Sequence, residues 1–412
     1  MVGKSHHFIR SWIQSIFSYE FWFVVTLILI RKFDQPRLRI AGLNASPFIY
    51  LTLVLLGLAL LLIIYTYKNQ RMKQINVAGL LVFSAWLSWT IFSLSWAPTT
   101  DYGMKKAIRI VLIIGWAYLS GMLLVGLDTI RVKKFLRAWL SVALVIAIFT
   151  IIIYVRYGSS AFYGTFGASY LGFGRVIALG LIVLMACILS KDYDLCGFNY
   201  IYSSTIFLIM SAALLLSGAR GPLIAVTFSV LIGALMLRRM NRLLLFLLLL
   251  TSISIPFLRN SYIEARTLNR LLLLVSVEGG GASAQGRLLR WKDALSLLHD
   301  SPIIGGGLGS FYYYFGNIDA EADYPHNIFL EVASETGMIG LILFIIVLVF
   351  PLIIHKPFTY RRSASLTTLL MLFSATTVFA LLSGDIADNR YLFAVLGVLT
   401  GFRARSTEHD LR

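Results

Sequence analysis

Charged residues are scarce in this chain, and acidic residues are the scarcest. Only 13% of its 412 residues are charged, with 19 Asp and Glu against 36 Lys and Arg, while 58% are hydrophobic. The mean hydropathy of +0.81 excludes an ordinary soluble domain and indicates a membrane protein with many spans. The net charge of +17 lies in short clusters between apolar runs, which argues against a nucleic-acid binder.

Cysteine is also nearly absent. Cys187 and Cys196 are the two cysteines of the chain, too few for a disulfide framework or a cysteine-based metal site, so they are expected to be structural. The sequence has no His-Glu-x-x-His, no Walker phosphate loop and no Gly-x-Ser-x-Gly motif, which removes three common hydrolase classes. The N-terminal segment has no small-residue cleavage site, so no cleavable signal is expected.

Long apolar runs dominate what is present. A membrane-spanning helix needs about 20 mostly apolar residues, and the chain offers about twelve such runs. They lie near residues 17–31, 47–67, 77–97, 107–126, 138–156, 175–190, 200–217, 221–237, 243–257, 337–354, 366–383 and 391–402. The predicted fold is therefore an all-α polytopic membrane protein with about twelve transmembrane helices.

Basic residues predict the orientation, because Lys and Arg favour cytoplasmic loops. The basic clusters fall in alternate connections: Lys68/Arg71/Lys73, Arg131/Lys133/Lys134/Arg137, Arg238/Arg239/Arg242, Lys356/Arg361/Arg362 and Arg403/Arg405/Arg412. Both termini are then cytoplasmic. The basic segment Arg31–Arg39 disagrees, so the first run either lies on the surface or, as we expect, spans the membrane against the rule.

The chain divides into three parts by this topology. Residues 1–257 form an N-terminal bundle of nine spans, and residues 337–412 form three more spans and a cytoplasmic tail. Between them, residues 258–336 form a long external region with short helices, which is expected to carry catalytic elements because a connection of that length is rarely without function.

Three arginines on the predicted external side need an anionic partner, since positive residues are disfavoured there. Arg220 follows Ser217-Gly218-Ala219 in a tight break between two spans, while Arg287 and Arg290 lie one helical turn apart. Guanidinium groups bind phosphate oxygens bidentately and keep their charge, so the three suit a diphosphate. The alternatives are a snorkelling helix anchor for Arg220 and a solvated helix face for the other two.

His326 is the candidate general base, because an ordinary histidine titrates near neutral pH. It is followed by Asn327 and by a helix with Glu331 and Glu335 one turn apart, so these residues are candidates to orient the imidazole or bind an acceptor. Asp385, with Asp388 nearby, ranks second on the same side. The alternatives are a capping role for His326 and a solvated first turn for the glutamates.

Two further features stay ambiguous. The carboxylates of Asp319, Glu321 and Asp323 describe either a divalent-cation site or, as we expect, a solvated loop. The aromatic run Phe311–Phe315 suits a membrane-interface belt or a platform for sugar rings. A transporter would need ionisable groups at mid-membrane, whereas the candidates here gather at one interface.

The motifs together resemble the O-antigen ligase family and the related O-antigen and exopolysaccharide polymerases. They occur in the family's order: Ser217-Gly218-Ala219-Arg220-Gly221, Gly286-Arg287-Leu288-Leu289-Arg290-Trp291, Ser301-Pro302-Ile303-Ile304-Gly305-Gly306-Gly307-Leu308-Gly309, and His326-Asn327 followed after nine residues by Gly337-Met338-Ile339-Gly340. The last spacing is fairly specific, whereas each arginine motif alone is weak.

The resemblance implies a C-type, polyprenyl-phosphate-dependent glycosyltransferase in the inner membrane of a Gram-negative bacterium, with its site facing the periplasm. It implies an inverting transfer, without metal or other cofactor, of a glycan from undecaprenyl diphosphate to lipid A-core. Arg220 and Arg287 would hold the diphosphate and His326 would assist the acceptor hydroxyl, while Arg290 fits on physical grounds alone. A polymerase that uses a second lipid-linked unit as acceptor is the alternative, and a lipid-linked glycan flippase or transporter is a distant one.

Overall fold

The computed structural model describes residues 18–30, 38–40, 43–45, 57, 59, 75–98, 100–157, 170–197, 199–242, 282–316, 323–357 and 363–402. Its α-helices are α1 (Tyr19–Leu29), α2 (Val77–Phe92), α3 (Thr100–Arg109), α4 (Trp116–Ser120), α5 (Thr129–Tyr157), α6 (Tyr170–Ser190), α7 (Tyr193–Cys196), α8 (Tyr200–Leu216), α9 (Arg220–Met236), α10 (Ala282–Asp300), α11 (Ser310–Phe315), α12 (Ile328–His355), α13 (Ala364–Leu382) and α14 (Arg390–Gly401). A short antiparallel hairpin, β1 (Leu38–Ile40) and β2 (Leu43–Ala45), follows α1.

Six of the described helical segments are long and apolar enough to cross a membrane. They are Val77–Trp96, Asp101–Val125, Thr129–Arg156, Leu171–Ser190, Ile328–His355 and Ala364–Leu382. Three apolar helices are shorter: Tyr19–Leu29, Ile201–Leu216 and Arg220–Met236. The helical, multi-span architecture is thus confirmed, while a total of about twelve spans stays a prediction. The expected runs at 243–257 and, apart from residues 57 and 59, at 47–67 lie outside the described residues.

The first apolar run forms a helix of 11 residues, about 16 Å long at 1.5 Å per residue. Its C-terminal end is satisfied from the far end of the chain, because the buried guanidinium of Arg390 donates hydrogen bonds to the carbonyl oxygens of Leu27 and Ile28. An arginine that binds the last carbonyls of a helix stabilises that end. Residues 31–37, which hold most of the disputed basic segment, lie outside the described part of the chain.

Glycines bring α14 against the helix that runs from α3 through α4. A Cβ atom on Gly397 would overlap the carbonyl oxygen of Tyr118, and one on Gly401 would overlap that of Met122. Small residues four apart allow such close backbone contact between membrane helices. The opposing helix also contains π-helical turns at Ile110–Gly115 and Gly121–Val125. Cys187 and Cys196 are both buried thiols and are not joined in a disulfide, in agreement with their structural interpretation.

A small separate core fixes α10 and α11 on the first turns of α12. Ala294 and Leu297 of α10 and Phe311 of α11 are buried together, and Leu330 of α12 packs against them. This packing sets the position of α10 relative to the start of α12. Helix α10 carries Arg287 and Arg290, and His326 lies two residues before α12.

Candidate active site

The backbone before α12 holds His326 in an unusual conformation. Its φ is +60°, in the left-handed region that non-glycine residues rarely adopt. Directly after it, the Asn327 side chain caps α12, since its Oδ1 accepts hydrogen bonds from the N–H groups of Phe329 (3.0 Å) and Leu330 (3.4 Å). Asn327 was predicted to orient the imidazole or to bind an acceptor. Its contacts here are those of an N-cap, which fixes the backbone that follows His326.

The imidazole of His326 lies among positive charges. Its ring packs edge-on against Tyr324 with 4.5 Å between centroids, and its Nδ1 is buried with no hydrogen-bond partner among the residues that the structure describes. Burial lowers the pKa of His326 to about 4, helped by the nearby charges of Arg287 and Arg290 and opposed by Asp388. Because the lowered pKa keeps the ring neutral at neutral pH, this histidine is able to accept a proton.

The two arginines of α10 have different surroundings. Arg290 forms an ion pair with Asp323, whose Oδ1 also accepts the N–H of Tyr324 at 2.9 Å. Arg290 thus ties α10 to the segment that carries His326. The expectation of a solvated loop was wrong for Asp323, which is buried in this ion pair. Among the described residues, no carboxylate forms an ion pair with Arg287. Asp319 and Glu321 lie outside the described part of the chain.

Arg220 occupies the first position of α9, directly after the extended Ala219. The turn before it packs on α6, where a Cβ on Gly174 would lie 2.8 Å from the Cβ of Ala219 and 3.2 Å from Ser217 Oγ. Arg220 is partly exposed. The residue after Gly174 in α6 is Arg175, so the close packing of these two helices brings a second arginine towards the same end of the bundle.

Arg175 is a residue that the sequence reasoning missed. It is buried and donates a hydrogen bond from Nη2 to the Ser383 carbonyl oxygen at 3.0 Å, while its Nε is buried without a partner. Its charge reaches His326 and further lowers the pKa of that residue. The available signal was an arginine at the very start of an apolar run, since a charged residue inside a membrane span needs a functional or structural reason.

Asp385 is buried in the turn between α13 and α14. Its Oδ1 accepts the N–H of Asp388 at 2.6 Å, and its backbone carbonyl oxygen accepts the Asn389 side chain at 2.8 Å. Asp385 therefore shapes the turn that presents Asp388 towards Arg175 and His326. These contacts make Asp385 a turn-forming residue, and its role in orienting groups or binding an acceptor stays a prediction.

Glu331 and Glu335 do not form the solvated first turn that was one interpretation of their spacing. Both are fully buried, and Lys106 Nζ lies 2.6 Å from Glu331 Oε1 and 2.6 Å from Glu335 Oε2. Neither carboxylate forms a hydrogen bond with His326 Nδ1, so neither orients the imidazole at that atom. The two glutamates instead join α12 to α3 through a buried lysine, which no local pattern indicated.

The glycines of the His-Asn-x9-Gly-x-x-Gly motif have a structural role. At Gly337 the backbone of α12 leaves the helical conformation (φ +69°, ψ −171°). The carbonyls this kink frees, those of Ser334 and Glu335, accept the N–H groups of Gly306 and Gly307, each at 2.9 Å. The glycine-rich segment 301–309 is thereby paired with α12, where backbone groups at membrane depth need partners within the protein.

The arrangement holds a neutral base next to positively charged side chains. Arg287 and Arg175 bring positive charge that suits an anion, and His326 lies near them to accept a proton. Among the described residues, no group of three or more His, Cys, Asp or Glu side chains is arranged to hold a metal ion. Such a site favours transfer of a group from an anionic leaving group to a hydroxyl.

Comparison with known protein families gives a match over part of the chain. Curated proteins give no match to the chain. A family model described as O-antigen ligase matches residues 205–345, a range that runs from α8 into α12 and contains Arg220, Arg287 and His326. The family expected from the motifs is therefore confirmed over residues 205–345, which match the model of the O-antigen ligase family.

Proposed function

We propose that the chain is an inverting glycosyltransferase that moves a glycan from undecaprenyl diphosphate to a hydroxyl of lipid A-core at the periplasmic face of the inner membrane. The observation that carries the proposal is the buried, unpartnered Nδ1 of His326 beside Arg287. A neutral base next to a cation suits a reaction in which a hydroxyl loses a proton while a diphosphate leaves.

In the proposed reaction, the acceptor hydroxyl oxygen attacks the anomeric carbon from the face opposite to the diphosphate. A new C–O bond forms as the anomeric C–O bond to the diphosphate breaks, and the electron pair leaves with the diphosphate oxygen. His326 takes the hydroxyl proton, a contribution of about 10²–10⁴-fold for a positioned base. Arg287, together with Arg220 and Arg175, stabilises the negative charge that grows on the leaving oxygens.

Arg290 has a different part in this proposal from the one its sequence position suggested. Because its guanidinium is ion-paired with Asp323, it acts as a positioning residue that fixes α10 against the His326 segment. Residual contact of Arg290 with the donor diphosphate is compatible with that pairing, since a guanidinium has five N–H donors.

The test uses purified protein in nanodiscs with a lipid-linked glycan and lipid A-core. His326→Ala and Arg287→Ala are each expected to lower transfer by at least about 10²-fold, because each removes a group that acts in the transition state. The controls are His299→Ala and Lys292→Ala, which change a histidine and a basic residue on the exposed side of α10, the helix that carries Arg287. Both variants should keep activity close to that of the parent. Near-normal turnover in either active-site variant would remove that residue from the mechanism.

The acceptor is decided in the same assay. With the donor present, product formed only when lipid A-core is the acceptor supports a ligase. Product formed only when a second lipid-linked repeat unit is the acceptor supports a polymerase. Both reactions use the donor-binding arginines, so the arginine variants should fail with either acceptor.

A further inference from the structure

Helix α10 carries an apolar stripe that its own core does not use. Leu288, Trp291, Leu295 and Leu298 follow one another at spacings of three, four and three residues, which places them on one side of an α-helix. Leu288 and Leu295 are each 52% exposed, while Trp291 and Leu298 are half-buried. The buried side of α10, with Ala294 and Leu297, faces α11 and α12, so the stripe lies beside that contact and faces away from it.

The stripe continues into the loop that follows α10. Ile303 is 66% exposed and Ile304 is also exposed. Their backbone pairs with the kinked part of α12, because the N–H groups of Met338 and Ile339 donate to the carbonyl oxygens of Pro302 (2.9 Å) and Ile303 (3.3 Å). Met338 and Ile339 are themselves exposed apolar residues of a candidate membrane span. The exposed surface of the loop is therefore continuous with the lipid-facing surface of α12.

The length of α12 gives the depth of this contact. Beyond the kink, residues 338–355 number 18, which correspond to about 27 Å of helix at 1.5 Å per residue. The hydrocarbon core of a bilayer is about 30 Å thick, so this part alone nearly crosses it. The kink at Gly337, and with it Ile303 and Ile304, then lies near one edge of the hydrocarbon region.

From these observations we infer that α10 is an interfacial helix whose stripe of Leu288, Trp291, Leu295 and Leu298, together with Ile303 and Ile304, lies among the acyl chains of the adjacent bilayer leaflet. The sector next to the stripe carries the exposed Lys292 and His299, as expected for a helix with one side in lipid and another towards the headgroups. Exposed leucines at the edge of a membrane span have no favourable solvent other than lipid.

This placement has a consequence for Arg287, which rests on the proposed function. Arg287 precedes Leu288 and lies on the side of the stripe nearer the protein core. A helix held in the interface keeps that guanidinium at the depth of lipid phosphates, so a lipid-linked diphosphate is able to reach it by lateral diffusion without leaving the leaflet.

The test measures lipid contact directly and does not depend on activity. In a background with Cys187→Ala and Cys196→Ala, single variants Leu295→Cys, Ile303→Cys and Ser296→Cys are labelled with an environment-sensitive fluorophore. Each is placed in nanodiscs that contain one protein copy and phosphatidylcholine carrying a doxyl quencher on its acyl chain. Ser296 is exposed and adjacent to Leu295, but it lies outside the stripe, so it serves as the matched control.

The doxyl lipid is expected to quench the labels at positions 295 and 303 by about twofold or more relative to position 296, as for an apolar face buried at the acyl boundary. Iodide in the water should quench position 296 most strongly. Equal iodide quenching at all three positions would overturn the inference, as would protection of positions 295 and 303 from both quenchers, which would mean that protein covers the stripe. Retained melting temperatures of the labelled variants establish that they are folded.

Discussion

At the scale of single residues, the site depends on one imidazole whose proton affinity is set by its neighbours. His326 is partly enclosed, its Nδ1 has no partner, and Arg287, Arg290 and Arg175 all disfavour its protonated form. A donor diphosphate bound to these arginines would bring negative charge and raise the pKa of the imidazole again. The base would then become stronger when the donor is in place, at the moment when it is needed.

This coupling predicts a titration that responds to charge. In the free protein, the pKa of His326 should lie near 4, so the ring is neutral above that pH and proton acceptance is lost as the pH falls through it. Arg287→Gln should raise this pKa towards the ordinary value, because it removes a cation that opposes protonation. The measurement is NMR of ring-labelled histidine in nanodiscs, with His326→Gln to assign the signal.

Lys292→Gln is the control for that titration, since Lys292 lies on the exposed side of the same helix. An unchanged midpoint in Arg287→Gln would mean that burial alone lowers the pKa of His326. Addition of a diphosphate-bearing lipid should move the midpoint of the parent protein upwards, and no movement would argue against diphosphate binding next to the imidazole.

At the scale of elements, the kink in α12 is the feature that joins the glycine-rich segment to the site. A Cβ on Gly337 would overlap the backbone of Ile303 and Ile304, and its backbone conformation is one that residues with a side chain rarely adopt. The sequence indicated a glycine motif here, but the predicted span began at residue 337 because the preceding turns contain two glutamates, a serine and a threonine. Those side chains are satisfied internally, for example Thr336 Oγ1 by the Val332 carbonyl oxygen at 2.6 Å, so the helix begins at Ile328.

Gly337→Ala should destabilise the protein by on the order of 1–3 kcal/mol, the usual cost of a strained backbone conformation, and should also lower activity by displacing segment 301–309. Gly286→Ala is the contrasting substitution, because Gly286 lies in α10 with open space around it and alanine favours a helix by roughly 0.5–1 kcal/mol. In thermal unfolding in detergent, the melting temperature should fall for Gly337→Ala and rise for Gly286→Ala. Similar melting temperatures for both would show that the kink is not constrained.

At the scale of the whole molecule, a buried ion cluster joins the two halves of the chain. Lys106 of α3 and Glu335 of α12 are 229 residues apart in sequence, yet their charged atoms lie 2.6 Å apart, with Glu331 at the same distance from Lys106. Charges that are removed from water persist only when they are paired. The cluster therefore holds the helix that carries the site against the N-terminal bundle.

Lys106→Met should cost about 3–5 kcal/mol of stability, the usual effect of leaving a buried partner uncompensated. Combining it with Glu331→Gln and Glu335→Gln should restore part of that loss, because the uncompensated carboxylates are then gone. Lys105→Met, which changes the exposed neighbour of Lys106, should leave the melting temperature nearly unchanged. Equal effects at positions 105 and 106 would contradict a structural ion cluster.

The sequence predicted the helical elements better than the contacts between them. Apolar runs such as 175–190 and 366–383 became α6 and α13 with small shifts in their ends, because length and hydropathy are local properties. The placement of Arg287 near His326 was expected from motif order, and the structure brings their charges together. The partners of Glu331 and Glu335, and the hydrogen bond from Arg175 to Ser383, join distant segments, so no periodicity in the sequence reveals them.

The cap formed by Asn327 has an electrical consequence. By closing the first turn of α12 directly beside His326, it fixes the positive end of the helix macrodipole, equivalent to roughly half an elementary charge, next to the imidazole. This field comes from the peptide groups of the helix, so it remains when a side chain of the site is substituted. The helix that anchors the site in the bilayer thus also acts as a permanent positive pole, which repels a proton from the base and attracts an anion to the same place.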